Sequence, residues 1–472
     1  MKICVLQPDY STTSVDYQHY DPPRNLSGLI PGAEVDHVFI NKLTIYSQLK
    51  SLSQKGYDVF VNLCEGYLEW EVPSIDLIWF LEHLNLPFTG PSSILYDPTK
   101  ELMKYVAYVA GVKTPQFYLV NNNTLTKEQR VDLQYPLFVK PSKAGDSLGV
   151  DESSLVENAV QLKAKTHQVM DAFGEALVEE YIDGREFTVL VARDGNDLKN
   201  TIAYEPIEYV FPKGFAFKTY ALKTKELHPD ANIAVSDSEL SSKIKEAAIK
   251  IFNGFSGVGY ARLDFRMNEK EELFFLEINF TCSVFYADGY EGSADYILKH
   301  SGVSKGTFLE NIIKEGIARH RLKQKKYEMH GDAISGYGIY ANTTIAPGEV
   351  VFRGEEMSQR IVTLSHVQKN WNEEELNNFK RYAYPLSDEV YILWDNNPES
   401  WAPQNHSCNA NTTYLGLDVV ATRKIENGEE LTLDYADFLD NTMQSFSCSC
   451  KAENCRGVVT GRKNNSVTSR AK

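Results

Sequence analysis

The chain has 472 residues, 43% of them hydrophobic and 12% aromatic, with a formal net charge of −16. That length gives two or three domains with proper cores, and that composition excludes an intrinsically disordered chain. The acidic balance excludes broad, non-specific binding to nucleic acid, because phosphate repels an acidic surface, but leaves a basic peptide or small cation open as substrate.

The opening segment, MKICVLQPDY, starts on a strand-like apolar run with no small-residue cleavage site behind it, so no secretory signal is expected and the cytoplasm is the expected compartment. No stretch reaches about 18 uninterrupted apolar residues, so no membrane partner is expected. DVFVNL at 58–63 predicts a buried strand. SIDLIWFLEHLN at 74–85 predicts a helix, with Ile75, Ile78, Trp79 and Glu82 spaced by threes and fours. Residues 97–110 predict another helix, and PLFVKP at 136–141 a strand running into a glycine-bearing loop. ALVEEYIDG at 176–184 predicts a strand with a turn, and residues 239–255 a helix ending near a glycine. YARLDFRMNEKEELFFLEIN at 260–279 predicts a hairpin, and 306–318 a further helix. The basic stretch RHRLKQKKYEMH at 319–330 reads either as a linker or as a solvated helix end. Beyond it, short strands between Gly, Pro and Asn turns dominate 331–440, and 462–472 reads as a disordered tail.

The hairpin carries the first chemistry. A turn centred on Lys270 and Glu271 sets Asp264 opposite Glu277 and Arg262 opposite Asn279, all four on one face. Leu263, Phe265, Phe274, Leu276 and Ile278 would form the core stripe behind them. Two carboxylates and an amide oxygen suit Mg²⁺, and Arg262 beside them could hold a transferring phosphoryl group; a solvent-facing polar strand would show the same alternation. Upstream, Lys140 precedes the loop Ser142–Gly149 (SKAGDSLG, with Ser147 in it), whose backbone N–H groups could lie on phosphates. Glu179, Glu180 and Ile182 could present hydrogen-bonding groups to an adenine edge, Glu186 could take a ribose hydroxyl, and Lys100 supplies another cation.

In this order, FVKP, EEYIDGREFTV, GYARLDF and FLEIN make residues 1–318 resemble the ATP-grasp superfamily and, within it, the D-alanine–D-alanine ligases. The resemblance implies a pre-ATP-grasp α/β domain over 1–95 and an ATP-grasp α+β domain over 96–318. It implies that Lys100 and Lys140 contact ATP phosphates, that Glu179, Glu180, Tyr181 and Ile182 line the adenine pocket, and that Glu186 meets the ribose. It further implies that Asp264, Glu277 and Asn279 bind Mg²⁺ while Arg262 stabilises the transition state. The family's reaction forms an acyl phosphate that an amine then attacks. The departures lie on the acceptor side. Cys64-Glu65-Gly66 stands where the family has a His-Gly pair, Asp146 replaces a loop serine, and FTCSVFYADGYEG after Asn279 lacks the Pro-Gly and serine that hold the second D-alanine. The early amine-binding segment is not recognisable in PDYSTTSVDYQHY.

The C-terminal third carries the second chemistry. CSCKAENC places Cys448, Cys450 and Cys455 one ligand short of a tetrahedral Zn²⁺, and Cys408 in NHSC is the natural fourth. SGYGIYANTTIAPGEVV at 335–351, GEE at 354–356, NHSC at 405–408, NGEELTLDY at 427–435 and CSCKAENCRG at 448–457 resemble, in order, a SET-domain methyltransferase with its post-SET zinc motif. The resemblance implies a mostly-β SET domain over 331–447, a post-SET motif over 448–461, and an S-adenosylmethionine pocket from Gly336, Tyr337, Gly338, Asn405 and His406. It implies Tyr435 as the catalytic tyrosine. Phe446 packs on the adenine or in the core. Tyr382, Tyr384 and Tyr391 are candidate channel walls or ordinary core residues. Ala410-Asn411 replaces the usual Pro-Asn, and Ala402-Pro403-Gln404 replaces Arg-Phe before NHSC.

The expectation is a bifunctional enzyme: an ATP- and Mg-dependent carboxylate–amine ligase of amino-acid-like substrates other than D-alanine pairs, plus an S-adenosylmethionine-dependent N-methyltransferase. Its partners would be small amino-acid-like molecules or a lysine-containing peptide, with a homodimer as one expected assembly. Two other readings stay open at this point: a protein-lysine methyltransferase with a nucleotide-binding regulatory module, and a ligase whose SET half only binds a partner.

Overall fold

The structure is a computed structural model, and it describes residues 1–13, 21–66, 71–121, 133–143, 148–212, 217, 231–332, 336–354, 359–394 and 402–461. The chain forms two compact units, Met1–Lys323 and Gln324–Lys472. Among the described residues, no helix is long and apolar enough to cross a membrane.

The first unit begins with a parallel three-stranded sheet. Lys2–Pro8 is its central strand, flanked by Glu34–Ile40 and Val59–Asn62. Val59–Asn62 is buried throughout, as its continuous apolar run predicts. Helices Ile45–Ser53 and Ile75–His83 cover the sheet. The second helix buries Leu77, Ile78 and Leu81, whereas Trp79 is 47% exposed, so the core stripe lies to one side of the spacing read from the sequence.

Two further sheets follow. Leu137–Pro141 and Ala176–Glu180 pair antiparallel at the centre of a four-stranded sheet backed by helix Ala159–Phe173. The other sheet has six strands, with Arg185–Arg193 beside the hairpin Tyr260–Met267 and Leu273–Asn279. Helices Lys100–Val109 and Ser238–Gly254 pack Met103, Ala107, Ile244 and Ile251 against Leu263, Phe265 and Phe275 of that hairpin. Thr99 caps the first helix by accepting from Leu102 N, and Asp237 caps the second.

The boundary between the two units falls within 319–330, and the stretch begins as a helix end. Helix Lys305–Lys323 runs through its first half, and Arg319 there is buried on the carbonyls of Phe88 and Gly90, paired with Glu315 at 3.1 Å. Strand Tyr327–Asp332 occupies the second half and pairs Tyr327 with Ala341. The basic residues mark a helix's wet face, while its dry face buries one of its arginines.

The second unit is built of short strands, as expected. Its five-stranded sheet lays Asn405–His406 parallel to Thr432–Leu433, which brings NHSC against the segment leading to Tyr435. Two helices, Leu364–Asn370 and Glu373–Tyr382, interrupt the β pattern. The second starts with a capping box in which Asn372 and Glu375 satisfy each other's backbone N–H groups. The expected tail, 462–472, lies outside the described residues.

Candidate active sites

The hairpin forms one wall of a cleft in the first unit. Arg262 pairs with Asn279 and Asp264 with Glu277, as expected, although the pairs next to the turn, such as Met267 with Leu273, centre on Lys270 alone. Between Asp264 and Phe265 the register slips by one, and Leu276 becomes the extra residue of a bulge. The predicted core stripe is therefore wrong by one on that strand: Leu263, Phe265, Phe275 and Ile278 are buried, while Phe274 and Leu276 are half-buried. The bulge sets Leu276 and Glu277, consecutive residues, both on the cleft. Alternation from Arg262 and Asp264 also delivers Arg266, a residue the sequence reading missed although period two names it. Its guanidinium sits 4.8 Å from the centre of the Tyr181 ring and 3.6 Å from Glu186.

The facing wall comes from the four-stranded sheet. Phe138 lies opposite Glu179, and Lys140 shares their face. Glu179 is buried between two ammonium groups, 2.5 Å from Lys140 and 2.6 Å from Lys104. Burial pushes the Glu179 carboxyl up, yet Lys104 and Lys140 together hold it below the usual range. Glu179 thus anchors the lysines, where the sequence reading had offered it to an adenine edge. Lys104 was missed too; its signal is the i, i+4 spacing from Lys100 on one helix. Lys100 reaches across to Glu277 at 3.6 Å.

The two walls enclose a half-open cleft that mixes charged and aromatic side chains, the character of a small-molecule site. Lys100, Lys140, Asp264 and Glu277 line one part of it; Glu180, Tyr181, Ile182 and Glu186 line another, with Phe138 and Phe217. The Phe138 and Tyr181 rings stack at 6.2 Å, and Phe217 stands edge-on to Phe138 at 5.0 Å. Asp264 and Glu277 opposite each other, with Asn279 two residues on, form an oxygen donor set that fits Mg²⁺. Ser147 and Asp146 lie outside the described residues.

In the second unit the sulfur atoms of Cys408, Cys448, Cys450 and Cys455 all lie within 4.8 Å of one another. Cys408 and Cys448 are 3.9 Å apart, close to the roughly 3.8 Å edge of a tetrahedron with Zn–S bonds of about 2.3 Å. Backbone N–H groups of Arg456 and Cys408 point at the sulfurs of Cys408 and Cys450, at 3.4 and 3.5 Å. The donor set fits Zn²⁺.

Beside this cluster, Asn405 donates to the Tyr337 carbonyl at 3.3 Å and to Glu430 at 2.7 Å. A Cβ on Gly338 would fall 2.7 Å from the Glu430 carboxylate and 2.9 Å from the Asn405 amide, so any larger residue there would push these side-chain ends aside. Tyr337 itself is 55% exposed. The His406 ring stands 5.5 Å from Tyr435 and 5.7 Å from Phe446. Tyr435 donates its hydroxyl to the Gln404 carbonyl at 2.5 Å, and burial pushes its pKa up to about 12, so it stays neutral.

The three candidate channel tyrosines separate. Tyr391 is a core residue, 1% exposed, with its hydroxyl on Asp440 at 2.6 Å. Tyr382 is exposed and within electrostatic reach of Tyr435. Tyr384 joins Tyr414 and Phe438, which the sequence reading missed, in an aromatic cluster touching Tyr435.

A family model for the D-ala D-ala ligase C-terminus matches residues 106–288, and one for the SET domain matches residues 336–436. The D-alanine–D-alanine ligase of Aquifex aeolicus is 28% identical over 203 residues, which are 42% of this chain and 64% of that ligase. This chain therefore spans just under two thirds of that relative's length. The ligase of Enterococcus hirae is 30% identical over 264 residues, 53% of this chain and 69% of that ligase. The crystal structure of VanG D-Ala:D-Ser ligase from Enterococcus faecalis shares the fold with a TM-score of 0.50 at 20% identity, covering 67% of this chain and 99% of that one. The chain thus belongs, over its first unit, to the D-alanine–D-alanine ligase family of ATP-grasp enzymes, and its second unit contains a SET domain.

Proposed function

We propose that the chain is two enzymes in one polypeptide: an ATP-dependent carboxylate–amine ligase and an S-adenosylmethionine-dependent N-methyltransferase. The observation that carries the ligase reading is the convergence of Lys100, Lys140, Asp264 and Glu277 on one cleft. Lys100 and Lys140 would hold the triphosphate, and Asp264, Glu277 and Asn279 would hold Mg²⁺, which would supply positive charge against the phosphates. Arg262, 3.3 Å from Asp264, would stabilise the transferring phosphoryl group. Tyr181, Ile182, Phe138 and Phe217 offer flat apolar walls to a base, and Glu186 a carboxylate to the ribose. D-alanine pairs are excluded from this proposal, because the segments at 64–66 and 280–292 lack the groups that would meet them.

In the second unit, S-adenosylmethionine supplies an activated methyl group, and Gly336, Tyr337, Gly338, Asn405, His406 and Phe446 would hold it. Zinc on the four cysteines would pin the tail carrying Phe446. Tyr435 spends its hydroxyl hydrogen on Gln404, so its oxygen lone pairs are free to accept from, and so orient, an amine N–H. A lysine-like amine is mostly protonated at neutral pH, and a narrow aromatic surround disfavours its ammonium form. Zinc-holding thiolates need a reducing compartment, which favours the cytoplasm.

The test is ADP release over a panel of L- and D-amino acids, alone and in pairs, with mass spectrometry for ligated and methylated products. Asp264→Asn and Glu277→Gln should abolish Mg-dependent ADP release while leaving the circular-dichroism spectrum unchanged. Turnover at the wild-type rate in both variants would remove the ligase assignment.

A further inference from the structure

On the acceptor side, a second buried cluster stands apart from the nucleotide cleft. The Arg24 side chain is 2% exposed and lies between two carboxylates, 2.9 Å from Glu65 and 3.2 Å from Asp21. It also donates to the Leu63 carbonyl at 2.8 Å and lies over the Tyr286 ring. Glu65 accepts a short hydrogen bond from Ser283, and Asp21 accepts from Tyr10 and, at 2.7 Å, from Tyr286. Among the described residues, these two carboxylates share the Arg24 guanidinium as their ion-pair partner in a place where charge is costly. A cation arriving with the substrate would be attracted to them.

The cluster's position gives that cation a role. Ser283 follows Asn279 by four residues, on the chain leaving the strand that carries Glu277. Cys282, beside Ser283, is in electrostatic reach of Glu65, Arg262 and Asp264 alike. Glu65 is 20% exposed, so a ligand can meet it where Arg24 is closed off. Every acceptor of a carboxylate–amine ligase arrives largely as an ammonium ion and must lose a proton before it can attack.

We propose that Glu65 is the group that receives the acceptor's ammonium and takes its proton, with Arg24 and Ser283 as the residues that position it. The proposal rests on the ligase reading above. The proton passes from R–NH₃⁺ to the Glu65 carboxylate, and the freed amine attacks the acyl phosphate. The C–N bond forms, the C–O bond to phosphate breaks, and inorganic phosphate leaves. The new amide sheds its extra proton to that phosphate, and Glu65 returns its own to water. Burial pushes the Glu65 carboxyl up to about 7, against the pull of Arg24 and with the help of Asp21, which suits a base working near neutral pH. Among the described residues, the other titratable groups facing it are Tyr10, Cys64, Tyr96, Tyr260, Cys282 and Tyr286.

Hydroxylamine is unprotonated at neutral pH, so it traps an acyl phosphate without a base. The full chain, wild type and Glu65→Gln, is given ATP, Mg²⁺ and a panel of L- and D-amino acids, with either hydroxylamine or the amino acids themselves as acceptor. In Glu65→Gln we expect hydroxamate within about twofold of wild type, amide product down about 10²- to 10⁴-fold, and loss of the acid limb near pH 7 in the wild-type pH profile. Glu65→Asp should recover part of the amide and its acid limb. Amide formation in Glu65→Gln within a few-fold of wild type overturns the proposal. So does a parallel fall of hydroxamate and amide that Glu65→Asp restores in parallel, which marks a structural counter-ion. Wild type that forms no hydroxamate with any acid removes the ligase reading, and this proposal with it.

Discussion

Lys104 has almost no water to share its charge with, since its side chain is 0% exposed. Burial lowers its pKa from an ordinary 10.5 to about 8, Glu179 opposing and Lys140 and Lys100 assisting. Between those values the unfolded chain keeps a proton that the native chain has shed. The unfolded state then binds more protons, so stability rises with pH across that window. Lys104→Met should remove this rise: denaturant unfolding of the first unit at about pH 7.5 and about pH 9.5 should show wild type gaining on the variant at the higher value. An unchanging difference would mean that Lys104 stays charged throughout. At this scale much of the site was legible. Lys100, Lys140, Asp264 and Glu277 stand in motifs whose spacing sets their face, and they line one cleft. What could not be read was which partner each charge takes. Glu179 belongs to two lysines because three elements converge on it, and no local spacing records that.

The hairpin shows where local rules stop. The pairs next to its turn, from Met267 with Leu273 to Phe265 with Phe275, centre on Lys270, and counting on from them would set Asp264 opposite Leu276. The bulge that moves Glu277 opposite Asp264 instead does not follow from local rules, because LFFLEI is apolar on both sides of the slip and either alternation satisfies a core. Its consequence is Leu276, which leaves the predicted core and lines the cleft beside Glu277. Leu276→Ala should raise the KM for ATP about tenfold, the equivalent of roughly 1–2 kcal/mol of lost apolar contact. It should cost little stability, because the residue is only half-buried. A large loss of stability with unchanged KM would place Leu276 back in the core. The helix Glu373–Tyr382 is the opposite case, since its capping box, Asn372 with Glu375, stands openly in NEEE. The turn-rich surroundings hid it. Tyr391 was indistinguishable from Tyr384 by type, and only burial on Asp440 makes it core.

Across the whole molecule, the order of the two chemistries was readable because each rests on motifs that are local in sequence. The stretch 319–330 stayed open between two readings, because charge alone does not tell a solvated helix face from a free segment. Each unit has its own apolar core: Leu263, Phe265 and Phe275 with their helices in the first, and Ile339, Val419 and Leu431 in the second. Neither set of site residues needs the other's chemistry, since the cleft offers oxygen and nitrogen ligands and the cysteine cluster offers sulfur.

That separation has a direct consequence. The cysteines come from two distant segments, Cys408 and Cys448–Cys455, and Phe446 stands two residues before the second of these. The strand pair Phe446–Ser447 with Val458–Val459 is only two residues deep, too short to hold the tail by itself. A structural zinc contributes an apparent ~10–16 kcal/mol in zinc-finger peptides, as much as a whole domain's stability. Losing it should therefore free Phe446 from its place 6.0 Å from Tyr435 and spoil the ring contacts it makes with Tyr435 and His406. Cys455→Ser, or a zinc-selective chelator, should weaken S-adenosylmethionine binding at least tenfold and stop methyl transfer. ADP release by the first unit should continue at its wild-type rate with Mg²⁺ in excess, because no thiolate lies among the residues lining its cleft. Both quantities are measured on one Cys455→Ser preparation, the first by calorimetry and the second by coupled assay. Undiminished S-adenosylmethionine binding would refute the zinc's role, and joint loss of both activities would refute the independence of the two units.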